Sequence, residues 1–396
     1  MNIQNPKERI ALKRLFSIIN GSTPKSDTPE YWDGEIPWIT PIDLNNDDSK
    51  FIKSSNRSIT DAGLNSCGTS ITPAGTIVIS CRAPIGSIGI TLNETCTNQG
   101  CKSLVKKSGL ISEKFFYYAL LSSNKELNSL GKGTTFLELS TDALSNYKVP
   151  NYDFEYQALI ASFLDRETAK IDELIQKQEG LIQLYGERIN TLVLDGLKNP
   201  SAKYMRLMHA SENVSRPVSQ EEDASYRPLG LYNRGRGIFI KEERDTDDMG
   251  DSNFFWVKSG DLIFSGQFAW EGSVAMAQVE HEGCVVSHRY PVIKGKEGVA
   301  LTEYLLALFQ TSHGDFLLNE NSRGAAGRNR PLNISLLLKE KIPIIDMESQ
   351  LKIKILIDAK EQFLKKSAQE IALLKEHRAS LISAAVTGKI DVRELV

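Results

Sequence analysis

Polar side chains able to make paired hydrogen bonds to flat edges recur among glycines, in stretches that read as loops. In the first half these are Lys25 beside Thr23-Pro24, Tyr31 beside Trp32, Arg82, Asn98, Gln99, and Lys132, Thr134 and Thr135 around Gly133. In the second half they are Asn233, Arg234 and Arg236, then Gln267, His288 and Arg289, then Arg323, Arg328, Asn329 and Arg330 in the run 322–330. Arginine matches the guanine edge and asparagine or glutamine the adenine edge in a major groove, while lysine and backbone amides hold phosphates. The 322–330 run makes the strongest case, because arginines spaced by glycine and alanine with no acid among them pack poorly but approach a backbone closely. Bland readings stand beside these. Trp32 and Trp38 read as core or loop-packing residues, Arg82 fits a structural cation under its own loop as well as a reader, and Lys25 fits plain solvated surface.

Catalytic constellations do not emerge. Gly235-Arg236-Gly237 lacks the third glycine of a dinucleotide fingerprint, and Gly131-Lys132-Gly133 has Glu126 and Gly133 where a phosphate loop needs glycine and a hydroxyl residue. There is no H-E-x-x-H, no G-x-S-x-G and no Asn-Pro-Pro-aromatic run, and the five histidines are scattered. Five cysteines (Cys67, Cys81, Cys96, Cys101, Cys284) lack the paired spacing of a structural zinc site. The expectation is a chain that is not itself an enzyme and holds no metal or cofactor.

The elements that position the polar residues come in two copies. Gly75-Thr-Ile-Val-Ile-Ser80 recurs as Gly260-Asp-Leu-Ile-Phe-Ser265, each reading as a turn glycine, a short apolar strand and a loop. Leu139-Ser140, Val149-Pro150 and Glu155-Tyr-Gln157 recur as Leu332-Asn333, Ile342-Pro343 and Glu348-Ser-Gln350. The offset drifts from 185 to 193 residues, too long for a solenoid period. It is the mark of a duplicated domain with extra residues in its loops.

Each copy has two parts. Residues 1–153 and 199–346 are rich in glycine, proline, serine and short apolar runs, with helical spacing over 114–128 and 301–318, so each reads as an α+β domain. Residues 154–198 and 347–396 shift to Leu, Ile, Glu, Lys and Gln, with no proline and heptad-like apolar spacing. The expected seam residues are Ile171, Leu174, Leu181, Tyr185 and Leu192 in the first helix, and Ile357, Leu364, Ile371, Leu374 and Leu381 in the second. A 45-residue helix is roughly 65 Å long, more than one small domain can cover, so each helix is expected to pair with the other, antiparallel, in a pseudo-twofold repeat.

A 396-residue chain with 41% hydrophobic residues has room for several cored domains. No window is apolar enough for a membrane span and the first residues lack a signal h-region, so a cytoplasmic location is expected. The net charge of −3 argues against indiscriminate binding to nucleic acid, although arginine-bearing stretches free of acid remain.

Gly21-Ser-Thr-Pro24, Tyr31-Trp-Asp-Gly34, Ile36-Pro-Trp-Ile39, Cys81-Arg-Ala-Pro-Ile-Gly86, Thr97-Asn-Gln-Gly100 and Leu381-Ile-Ser-Ala-Ala-Val-Thr-Gly-Lys389, in this order and with the duplication, resemble the specificity subunits of type I restriction-modification enzymes. The resemblance covers essentially the whole chain. It implies two target recognition domains, each reading half of a bipartite DNA site in the major groove, with antiparallel spacer helices fixing the gap. Half-sites one helical turn apart lie about 34 Å from centre to centre. It also implies two methyltransferase subunits and translocating nuclease subunits as partners, with S-adenosylmethionine and ATP bound by those partners. The second copy departs from the first, with Gln267-Phe-Ala-Trp-Glu-Gly272 where the first has Arg82-Ala-Pro-Ile-Gly86. The competing expectations are a duplicated adaptor or carbohydrate-binding protein on a helical stalk, or a self-contained restriction-modification polypeptide.

Overall fold

A computed structural model describes residues 8–44, 50–82, 84–131, 137–198, 203–219, 225–245, 253–322, 324 and 330–395. The chain forms two compact units, one of residues 1–177 with 369–396, the other of residues 178–368. The boundary falls inside both long helices, which span Phe154–Lys198 and Met347–Val386.

In the first unit a sheet runs in the order Phe16–Asn20, Cys101–Lys106, Ile77–Ser80, Ile88–Thr91, with Phe51–Ile52 at its edge. In the second unit the order Ser211–Asn213, Val292–Gly295, Leu262–Phe264, Val274–Met276 repeats the four-strand arrangement. The duplicated motif supplies the inner strand in each. Its glycine takes positive φ in both copies, +80° at Gly75 and +82° at Gly260, a conformation other residues reach only with strain. The strand after it is apolar on both faces because both are covered. Ile77 and Ile79 join the helix-backed core with Phe115 and Phe116, while Val78 faces a smaller cluster with Ile39 and Leu44. Leu262 and Phe264 likewise meet Tyr304 and Phe309, while Ile263 turns to Val257 and Val286.

Further pairs repeat. Glu8–Ala11 pairs antiparallel with Lys148–Asn151, as Lys203–Arg206 does with Lys341–Ile344. Trp32–Ile39 runs parallel to Cys96–Thr97, as Ser225–Leu231 does to Cys284–Ser287. Gln157 and Gln350, both buried, repeat one clasp. Gln157 Nε2 donates to the Tyr152 carbonyl at 2.8 Å and its Oε1 accepts from the Ser112 N–H at 3.0 Å; Gln350 does the same with Ile345 and Leu301 at 2.9 and 2.8 Å.

Two sequence expectations need correction. The helices expected over 114–128 and 301–318 are each broken in two, as Glu113–Ser122 with Asn124–Ser129, and Thr302–Phe309 with Ser312–Glu320. The breaks come from hydroxyls. Ser123 donates to the Ala119 carbonyl, and Thr311 donates to the Leu308 carbonyl while accepting from the Gly314 N–H, which starts a new helix. The second correction concerns the seam. Leu174, Leu181 and Leu364 are 50%, 45% and 37% exposed, whereas Ile171, Ile189, Val193, Ile353 and Ile357 are buried. The first helix buries or half-buries Ile171, Ile175, Gln178, Ile182, Tyr185 and Ile189, a 4-3-4-3-4 spacing, and the expected leucines flank it. Both sets fit a heptad; the isoleucine flank meets the partner helix.

Within each unit the helix segments run antiparallel. In the first, the Tyr152 hydroxyl donates to the Val386 carbonyl at 3.2 Å and Arg378 pairs with Asp172 at 3.1 Å; Leu374 and Leu381 are half-buried, as is Ile371. In the second, Ser367 donates to Gln178 at 2.8 Å, Tyr185 meets Phe363 at 5.8 Å between ring centres, and half-buried Leu192 packs on the core holding Ile189, Val193, Ile353 and Ile357. Burying each isoleucine contributes about 1.5–3 kcal/mol.

Asp165 ties the first long helix to its domain. It accepts from Lys114 at 2.9 Å, from the Tyr118 hydroxyl at 2.8 Å and from Lys50. Burial pushes its carboxyl up, but the hydrogen bonds from Lys50, Lys114 and Tyr118 together outweigh this and hold it below its ordinary value. A group lowered in this way stabilises the fold above its unfolded pKa of about 3.9 and loses that contribution as the pH falls through the folded value. In urea titrations at pH 7 and pH 3, the stability gap between wild type and Asp165→Asn is expected to shrink at the lower pH. An equal gap at both would refute the coupling.

Candidate nucleic-acid interface

In the first unit three loops meet at Cys81. Its N–H donates to the Gly100 carbonyl at 2.7 Å and its carbonyl accepts from the Leu139 N–H at 2.9 Å. A fourth segment docks alongside, where the Ser22 N–H donates to the Thr97 carbonyl at 3.0 Å and a Cβ on Gly21 would lie 2.0 Å from the Asn98 carbonyl oxygen. Only glycine fits there.

This junction brings together some of the expected residues and sets others apart. Arg82 and Gln99 are exposed at it, and the Thr23 hydroxyl donates to Gln99 Oε1. Arg82 Nε lies 3.3 Å from Glu138 Oε2, beside an antiparallel bridge between the two residues. Asn98 shapes its own loop, its Oδ1 accepting from the Gly100 N–H at 2.9 Å. Tyr31 packs with Trp32, Trp38, Ile59 and Cys96, and the two tryptophans meet edge to face at 5.1 Å, so both indoles are core. The exposed Lys25 holds this cluster through its carbonyl, which accepts from Trp32 Nε1 at 3.1 Å. Lys132, Thr134 and Thr135 lie outside the described residues. Burial pushes the Cys81 thiol up to about 12, so it packs as a small apolar group and supplies no thiolate.

The second unit repeats the junction with different side chains. The Gly266 N–H donates to the Arg289 carbonyl at 2.7 Å and its carbonyl accepts from the Leu332 N–H at 2.8 Å. Gly266 thus corresponds to Cys81, Arg289 to Gly100 and Leu332 to Leu139. By the same register Gln267 stands at the place of Arg82, His288 at that of Gln99 and Pro331 at that of Glu138. Gln267, His288, Arg289, Pro331 and Leu332 line one pocket of about 430 Å³.

Asn233, Arg234 and Arg236 lie elsewhere. Asn233 Nδ2 donates to Glu271, and Arg236 Nε donates to the Asn233 carbonyl at 3.0 Å with its guanidinium 5.4 Å from the Tyr232 ring centre. Arg234, at φ +58°, lines a separate cleft of about 690 Å³ with Trp270, Asp315, Asn319 and Lys360. Burial raises the Asp315 carboxyl and lowers the Lys360 ammonium. Arg330 is half-buried, with Nε donating to the Ser322 carbonyl at 3.0 Å and the guanidinium 5.1 Å from the Trp270 ring centre, so it closes the ends of its run instead of reaching out. Arg323, Arg328 and Asn329 lie outside the described residues. The sequence reading missed Glu138, Glu271 and Trp270, each a partner brought near only by the fold; the position of Glu138 next to the duplicated Leu139 was the available signal.

Among the described residues no group of acids, histidines or cysteines is arranged to hold a metal ion, and no helix is long and apolar enough to cross a membrane.

This architecture defines a class: duplicated α+β domains carried on segments of two long antiparallel helices, each domain presenting a loop junction. Residues 5–183 match the model of a family described as type I restriction modification DNA specificity domain. The chain is 36% identical over 169 residues to the type I restriction enzyme MjaIX specificity subunit of Methanocaldococcus jannaschii, covering 42% of this chain and 38% of that protein. It is 30% identical over 145 residues to the HindI specificity subunit of Haemophilus influenzae, covering 36% and 31%. The matches thus span less than half the length of these curated relatives. The fold matches the crystal structure of a type I restriction-modification S subunit from M. genitalium over 98% of this chain and 97% of that one, with a TM-score of 0.51 and 15% identity. It also matches a chain from a study of assembly and conformational transition in the type I system, over 98% and 100%, with a TM-score of 0.62 and 13% identity.

Proposed function

We propose that this chain is the DNA-specificity subunit of a type I restriction-modification complex, each unit reading one half of a bipartite, asymmetric site. The observation that carries this reading is one hydrogen-bond framework built twice and furnished differently: Arg82, Gln99 and Glu138 at one junction, Gln267, His288 and Pro331 at the other. Two copies of one scaffold with unlike polar tips suit recognition of two unlike base sequences. Residues 1–153 and 199–346 are the recognition domains, and 154–198 and 347–396 set the gap between half-sites.

The chain acts without catalysis of its own, in the cytoplasm. Two methyltransferase subunits bind S-adenosylmethionine, and restriction subunits bind and spend ATP. The exposed Leu174, Leu181 and Leu184 on one helix and Ile355, Leu364 and Leu373 on the other offer apolar surface for docking the methyltransferase subunits.

Methylome sequencing of cells expressing the chain with its methyltransferase partner tests the proposal. The expected result is modification at one two-part motif with unspecified bases between the parts, with one part replaced when residues 1–150 are exchanged for another recognition domain. Methylation that does not depend on the chain, or a motif unchanged by the exchange, would overturn it.

A further inference from the structure

The two junctions differ most at one pair of positions, and the difference has a chemical direction. At the first, Arg82 and Glu138 sit across an antiparallel bridge with Nε 3.3 Å from Oε2. Nε is tied, and the described residues offer no partner to the two terminal Nη groups. A half-exposed guanidinium held by Nε alone leaves its two Nη groups as a planar fork, the shape that spans guanine O6 and N7. At the second junction the same backbone bonds place Gln267 opposite Pro331. A proline beside it offers no carboxylate to hold a cation. Gln267 is exposed on the wall of the pocket with His288, and its amide carries the donor and acceptor that match adenine N7 and N6.

We propose that Arg82, aimed by Glu138, and Gln267 are the specificity-determining residues at equivalent places in the two readers, Arg82 taking a guanine in one half-site and Gln267 an adenine in the other. Glu138 is a positioning residue. The inference rests on the DNA-recognition reading above and goes beyond it in fixing which side chain meets which base.

The test is methylome sequencing of the full chain, co-expressed with its methyltransferase partner, as wild type, Arg82→Ala, Glu138→Ala, Glu138→Gln and Gln267→Ala. Arg82→Ala is expected to relax one G·C pair in one half-site, with about tenfold to a hundredfold loss of preference there and no change in the other half-site or the gap. Gln267→Ala is expected to relax one A·T pair in the opposite half-site. Glu138→Ala should relax the same pair as Arg82→Ala, whereas Glu138→Gln, whose amide oxygen still accepts from Nε, should preserve it. Thermal unfolding of each purified variant separates these effects from loss of the fold. The inference is overturned if methylation falls evenly at all sites with no pair relaxed, if relaxation spreads across both half-sites, or if the two Glu138 variants behave alike. A wild-type chain that directs no two-part motif defeats the functional reading itself, and that outcome is seen before any variant is made.

Discussion

Arg216→Ala is expected to destabilise the second unit by about 3–5 kcal/mol, the cost of leaving a buried charge without its partner. Asp261 lies within the duplicated motif and its side chain is fully buried. Two hydrogen bonds from Arg216, at 2.6 and 3.1 Å, and one from the Lys258 N–H at 2.8 Å satisfy its oxygens. Truncating the arginine removes two of those donors and the countercharge together. The first unit has Thr76 at this place, whose hydroxyl donates to the Pro73 carbonyl at 2.6 Å, so one backbone is served by a neutral group in one copy and an ion pair in the other. Replacing both partners, as Arg216→Met with Asp261→Leu, should recover most of the loss and leave roughly 1–3 kcal/mol for the unsatisfied Lys258 N–H. Urea unfolding followed by tryptophan fluorescence measures both variants. A single variant within 1 kcal/mol of wild type would show that the pair holds little of the fold together.

Gln350→Leu is expected to cost about 2–4 kcal/mol, and Gln157→Leu a similar amount in the first unit. Leucine fills much of the same space but strands the Leu301 N–H and the Ile345 carbonyl, or the Ser112 N–H and the Tyr152 carbonyl, away from water, at about 1–3 kcal/mol per buried group. Gln350→Glu keeps the acceptor but, when ionised, has no donor and buries a charge; it should fall between wild type and leucine near pH 4, where the carboxyl regains a proton and with it an O–H donor. The same chemical denaturation reads all three. Leucine variants as stable as wild type would mean that the duplicated glutamine owes its place to something other than the clasp.

What could be read in the sequence was what depends on near neighbours. The Gly75 and Gly260 turns, the apolar strands after them and the glutamines near the starts of the long helices are local patterns, and their recurrence exposes the duplication. The flank of a helix that closes a seam is decided by what lies opposite, and composition alone did not tell Leu174 and Leu181 from Ile175 and Ile182. The polar tips divide similarly. Arg82, Gln99, Gln267 and His288 are both named by residue type and placed at a junction, but Asn98, Asn233 and Arg330 bond to their own loops or to partners far along the chain. Residue type gives the capacity to recognise a base; only packing decides whether that capacity is already used.

The first unit closes around residues far from its beginning. Its core includes Ile382, Ala385, Val386 and Val392 packed with Ile160, Phe163 and Leu164, and Arg166 donates to the Leu395 carbonyl. On a ribosome, roughly 190 residues of the other unit emerge between these halves, a delay of about 10–40 s at ~5–20 residues per second. The portion translated earliest is therefore completed last. During that interval the apolar face of the first helix lacks its partner segment, and a chain stopped after residue 368 would be missing part of the first unit's core while retaining every residue of the second.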